Sequence, residues 1–290
     1  MIPWHCDGLN IKQSRLAIAV ILLPILYLLL RVLPPFFFFL FLSVLILRVQ
    51  YEFYRFFYRE DAKGAVFVGL ALGFLLSIGF YQEAALPGNA VFPLNMVFSP
   101  LLMAIFVYFL FSFSDIKTAL VDSAVLFLGV AYISGLLSYL ILLRHLSDGR
   151  SLVLFLLLVV WGGDAVAYYV GRSFGKRKLY PKVSPNKTIE GAIGGLAGSF
   201  LGGGLAKLTA IALFSWTDIL VLSLLLGGFG QLGDLTESLL KRSAGVKDSS
   251  GLIPAHGGLF DKLDSIAFAA PVFYYYLFLV KGFGRLTVLV

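Results

Sequence analysis

The feature that most constrains this chain is a repeated apolar run, near 17 to 25 residues long, from residue 16 to residue 281. A helix needs about 20 apolar residues to cross a hydrocarbon core. The runs are continuous rather than alternating, so they predict helices and not barrel strands. Spans are expected at about residues 16–33, 34–50, 64–81, 92–113, 119–143, 151–171, 191–213, 216–233 and 265–281. With 59% hydrophobic and 13% charged residues, the fold expected is an all-α polytopic membrane protein of about nine transmembrane helices. Arg31 and the Pro34-Pro35 pair divide the first long stretch, so residues 16–50 are either two spans or a re-entrant hairpin.

Charge sets the orientation. Of the 23 Lys and Arg, 17 fall on the face carrying the N-terminus and the loops after the second, fourth, sixth and eighth spans, and six on the other. Positive residues favour the cytoplasm, which is therefore where those loops are expected. The run at 16–33 is too long for a secretory leader and no small-residue cleavage site follows it, so it is expected to be retained. Cys6 is the only cysteine, which excludes an intramolecular disulfide, and the adjacent His5, Cys6 and Asp7 make a poor metal site alone. A net charge of +7 without a soluble domain points to anionic lipid or phosphorylated substrates, not nucleic acid.

The two halves differ in kind. Residues 1–150 offer an apolar anchoring region, with the aromatic and charged stretch 51–61 reading as an interfacial connector. Residues 151–290, with loops 172–190 and 234–264, bring acids, lysines and glycines into and between spans. The chemistry is expected there, in a polar site facing the cytoplasm.

Asp164 lies inside an apolar run, where an ionised carboxylate costs on the order of 3 kcal/mol unless a cation, a metal or water meets it. Tyr168 follows one turn later on the same face. In "GDLTESLLKR", Asp234, Glu237, Ser238 and Lys241 share a helix face; Glu237 and Lys241 also suit a plain solvated i, i+4 pair. Asp261 and Asp264 are about 4.5 Å apart along a helix axis. N-capping accounts for one of them, whereas a divalent cation accounts for both together with Asp234. Oxygen ligands without a cysteine cluster point to Mg²⁺, and a second cation is left open.

The loop "GRSFGKRKLYPKVSPNKTIEG" carries Arg172, Lys176, Arg177, Lys178, Lys182 and Lys187 on the same side as the aspartates. Positive-inside bias alone explains part of this. Ser184, Lys187 and Thr188, gathered by the Pro185-Asn186 turn, offer phosphate donors close together. The spacing of "GRSFGKR" excludes a P-loop. The glycines of "GAIGGLAGSFLGGG" suit close helix packing.

The stretch "SLLKRSAGVKDSSGLIPAHGGLFDKLD", residues 238–264, resembles the signature of phosphatidate cytidylyltransferases (CDP-diacylglycerol synthases): S-x-x-K-R, K-D, P-x-H-G-G and D-R-x-D. The upstream "DAVAYYVGRSFGKRKLYPKVSPNKTIEG" is similar to the same family. Lys262 stands where arginine is usual, and Ala255 where glycine is common. The resemblance implies transfer of a cytidylyl group from CTP to phosphatidic acid, giving CDP-diacylglycerol and pyrophosphate with Mg²⁺. It implies Asp234, Asp261 and Asp264 as metal ligands, and Lys187 and His256 beside them in the catalytic set. Substrate contacts would come from Asp164, Tyr168, Arg172, Lys176, Lys178, Ser184, Thr188, Glu237, Lys241, Arg242, Lys247, Asp248 and Lys262. The expected partners are CTP, phosphatidic acid and membrane lipids, with a homodimer as one assembly, in a bacterial cytoplasmic membrane. A CTP-dependent lipid kinase and a cation- or proton-coupled transporter stay open beside this reading.

Overall fold

The computed structural model describes residues 24, 27–58, 62–86, 94–246 and 258–283. A short π-helical turn, Leu28–Val32, precedes helix α1, Pro35–Phe57. Then come α2, Lys63–Ala85; α3, Leu94–Ser112; α4, Ala119–His145; and α5, Gly149–Phe174. A β-hairpin of β1, Lys178–Tyr180, and β2, Ser184–Thr188, leads into α6, Ile189–Thr209. Helices α7, Trp216–Ser243, and α8, Phe260–Leu279, complete the bundle.

The protein is a multi-pass membrane protein. Among the described residues, α1, α2, α4, α5 and α7 are long and apolar enough to cross a membrane by length and composition. Helices α3, α6 and α8 stand at three further expected spans; α3 carries Pro100 and α8 carries Pro271 within the helix. Of the expected first span, 16–33, residues 16–23, 25 and 26 lie outside the described residues, and its end holds the π-helical turn.

With no water in the hydrocarbon, buried polar groups must meet one another. Between α1, α2 and α4, Gln50 Nε2 donates to Gly69 O at 2.8 Å and to Tyr54 Oη at 2.9 Å, and Gln50 Oε1 accepts from Ser134 Oγ at 2.9 Å. Tyr54 Oη donates to Leu126 O at 2.9 Å, just before the π-helical stretch Gly129–Gly135 of α4. A π-bulge leaves carbonyls out of register, and here a neighbouring helix satisfies one.

The glycine-rich α6 packs on α5 as its composition suggests. A Cβ added at Gly162 would lie 2.8 Å from the carbonyl oxygen of Gly198, and one at Gly198 would lie 2.6 Å from Val166 Cβ. Only glycine lets these backbones meet so closely.

The ends of the helices are tied separately. At one end Ser215 and Asp218 cap α7 reciprocally, and Asp218 also accepts from Tyr276 Oη at 2.7 Å and Lys281 Nζ at 2.6 Å, joining α7 to the end of α8. At the other end Thr188 caps α6, its Oγ1 accepting from Gly191 N–H at 3.1 Å. There the ends of α1, α5 and α7 meet the starts of α6 and α8.

Candidate active site

A cavity of about 1010 Å³ opens at this second end and runs into the bundle. One stripe of α5 follows it: Val153, Leu157, Trp161, Asp164, Tyr168 and Arg172. That stripe covers about 28 Å of helix rise, close to the thickness of a hydrocarbon core. The deep part is apolar, closed by Phe38, Leu42 and Leu45 of α1 and Leu140 of α4. The mouth is polar, built from α5, β2, α7 and the start of α8.

At the mouth, helical spacing aligns acids and a lysine on α7. Asp234, Glu237 and Lys241 all face the cavity, as the i, i+3, i+7 pattern requires. Lys241 Nζ pairs with Glu237 Oε1 at 2.8 Å and with Asp261 Oδ1 at 2.7 Å. Lys187 of β2 pairs with Asp234 Oδ2 at 2.6 Å. Asp261 Oδ2 also accepts from Gly258 N–H at 2.9 Å, so this acid holds the loop against the first turn of α8.

Asp264, one turn deeper, is 6% exposed. Carboxylate oxygens of Asp234, Glu237 and Asp264 all lie within 4.8 Å of one another. These three acids from two helices could hold a metal ion. The grouping differs from the expected trio in one member: Glu237 stands in the cluster, while Asp261 turns to Lys241 and the loop backbone. The reason is position along α8, because Asp261 in its first turn reaches the N–H groups before the helix and Asp264 does not.

Of the other expected residues, Asp164, Tyr168, Arg172, Thr188 and Lys262 line the cavity with Asn186. Arg172 Nη1 donates to Tyr168 Oη at 3.2 Å. Lys176 and Lys178 are exposed away from it, and Ser184 pairs across the hairpin with Tyr180. Arg242 also lies outside the lining; its Nη1 donates to Val246 O at 3.2 Å and its Nε reaches Val183 O at 3.5 Å, binding the hairpin to the end of α7. Lys247, Asp248 and His256 lie outside the described residues.

The hairpin's base is held by Glu190, whose carboxylate accepts from Lys176 N–H at 3.0 Å and Arg177 N–H at 3.1 Å. Its own backbone N–H and those two hold the carboxyl below the ordinary glutamate range.

Sequence reasoning missed the apolar wall from α1 and α4, Gln231, whose Nε2 donates to Ala192 O at 3.0 Å, and Glu52. The α1 residues carry no chemical signal of their own; they look like any apolar helix. Glu52 had one, an acid four residues after Arg48 at the end of an apolar run.

Comparison with known proteins bears on this geometry. A model of the cytidylyltransferase family matches residues 13–280. A Bacillus subtilis protein named phosphatidate cytidylyltransferase is 42% identical over 151 residues, covering 52% of this chain and 56% of that protein. One of the same name from Haemophilus influenzae is 46% identical over 136 residues, 46% of this chain and 47% of that protein. One from Staphylococcus saprophyticus is 38% identical over 163 residues, 54% and 59% of the two chains. The aligned stretch thus spans about half the length of the curated relatives.

Proposed function

This chain belongs to the cytidylyltransferase family, and we propose that it transfers the cytidylyl group of CTP to phosphatidic acid, forming CDP-diacylglycerol and pyrophosphate. The observation that carries the reading is one cavity with a charged mouth and an apolar depth. Such a cavity suits a substrate that is half polyanion and half hydrocarbon. The relatives' shared name, phosphatidate cytidylyltransferase, points the same way.

The lipid phosphate is a monoester whose second pKa is about 6, so at neutral pH it attacks without a base. Its oxygen forms a bond to the α-phosphorus of CTP, and the bond from that phosphorus to the bridging oxygen breaks. Pyrophosphate leaves with the electron pair, and no proton has to move. The work left to the protein is to bring two polyanions together and stabilise the leaving charge.

Lys187 and Lys241, held by acids at the mouth, are placed to exchange a carboxylate for a phosphate oxygen. Arg172 and Lys262 add cationic donors on the other walls. The apolar residues of α1, α4 and α5 would take the acyl chains and keep water from the phosphates. Asp234, Glu237 and Asp264 fit Mg²⁺, being three oxygen donors with no soft ligand among them. Bound there, the ion would supply charge neutralisation for the triphosphate.

In this reading the C-terminal half carries the charged machinery and the N-terminal half the lipid wall. The excess of Lys and Arg on the loops at the mouth favours a cytoplasm-facing site in a bacterial inner membrane. The test is the purified protein in mixed micelles with CTP, phosphatidic acid and Mg²⁺, with products resolved. CDP-diacylglycerol and pyrophosphate in equal amounts are expected. Release of CDP with a newly phosphorylated lipid, or no turnover by folded protein, would overturn the proposal.

A further inference from the structure

Glu52 lies in the half of the chain whose sequence shows little beyond hydrophobicity, yet it reaches the polar end of the molecule. On α1 it is 1% exposed. One carboxylate oxygen is 3.2 Å from Arg48 Nη2, and the other accepts from Phe260 N–H at 3.0 Å. Phe260 is the first residue of α8, immediately before Asp261 and one turn before Asp264.

The side chain of Phe260 is fixed by the same half of the chain. Its ring lies 6.2 Å from Phe53, 6.1 Å from Phe56 and 6.0 Å from Tyr132, so α1 and α4 grip it. Rings in such a group can slide, but the hydrogen bond to Glu52 fixes where the backbone of α8 begins. A buried carboxylate is costly to keep unless it is paired and hydrogen-bonded. Here it sits at the positive end of a helix and meets an N–H that helix geometry leaves without an intrahelical partner.

We infer that Glu52 is a positioning residue: by holding Phe260 N–H it sets the start of α8 and so the placement of Asp264 against Asp234 and Glu237. The inference rests on the cytidylyl-transfer reading of that acid cluster. The requirement is reach, not charge, since any acceptor at that distance satisfies the N–H. An acid one methylene shorter keeps the charge but falls short of Phe260. An amide of the same length loses the charge and keeps the acceptor.

The test compares Glu52→Gln, Glu52→Asp and Glu52→Ala in the full-length protein, assayed for liponucleotide formation in mixed micelles with the melting temperature of each. Glu52→Gln is expected within about threefold of wild-type kcat, and Glu52→Asp and Glu52→Ala about ten- to hundredfold below it, the loss typical of a small misplacement of reacting groups. Val49→Ala, a buried α1 position, controls for loss of packing. It should lower the melting temperature without that fall in kcat. If Glu52→Ala does not fold, the Gln and Asp pair still decides. Glu52→Asp as active as Glu52→Gln, or Val49→Ala losing kcat in step with stability, would overturn the inference while leaving the proposed reaction standing. An inactive wild type would overturn the reaction, and this inference with it.

Discussion

Lys241 is the cation between two acids from different helices, Glu237 on α7 and Asp261 on α8, at 2.8 and 2.7 Å. Replacing it by methionine keeps the length and removes the charge. Two carboxylates then face each other, one of them almost fully buried. Breaking a buried pair on one side costs about 3 to 5 kcal/mol. The lysine and Asp261 side chains keep 12% and 16% exposure, so the lower end applies. At about 2 °C per kcal/mol for a chain of this size, Lys241→Met should melt about 6 °C below wild type. The measurement is thermal unfolding in detergent with a chelator present, so that no cation takes the lysine's place. Adding Asp261→Asn removes one of the two facing carboxylate charges and should restore about half of the loss, because residues in direct contact couple. A single variant melting within about 1 °C of wild type, or a double variant at the simple sum of the two singles, would refute the reasoning.

The acid cluster predicts an order of effects: Glu237→Gln and Asp264→Asn should each lower kcat about a hundredfold, and Asp261→Asn about tenfold. Equal losses for Glu237→Gln and Asp261→Asn, each in folded protein, would undo the distinction between them. Chelation with EDTA should stop turnover and added Mg²⁺ should restore it; full activity in chelator would remove the cation from the reading. Gly198→Ala should destabilise by about 1 to 3 kcal/mol through overpacking against Val166, whereas Gly228→Ala, inside α7 with open space around it, should raise the melting temperature by about 1 to 2 °C through helix propensity.

Much of the fold was legible because spanning a membrane is a local requirement. Each helix needs its own length of apolar residues, and α1 through α8 stand where such runs occur. The glycines of α6 announced close packing because only a missing side chain permits it. The shared face of Asp234, Glu237 and Lys241 followed from 3.6 residues per turn. Asp261 and Asp264, by contrast, looked alike in sequence, and their separation into a lysine partner and a member of the acid cluster depended on what each met.

By itself, then, the sequence determined the membrane class, the helical spans and the supply of acids and cations in the second half, all set within a few turns of chain. The tertiary structure decided which acids converge, that Lys178 and Ser184 stay outside the cavity, and that α1 and α4 wall it. It also joined Glu52 to Phe260 across 208 positions. Nothing local encodes such a meeting. It arises when apolar faces of distant helices pack and whichever polar groups they carry must then satisfy one another out of water.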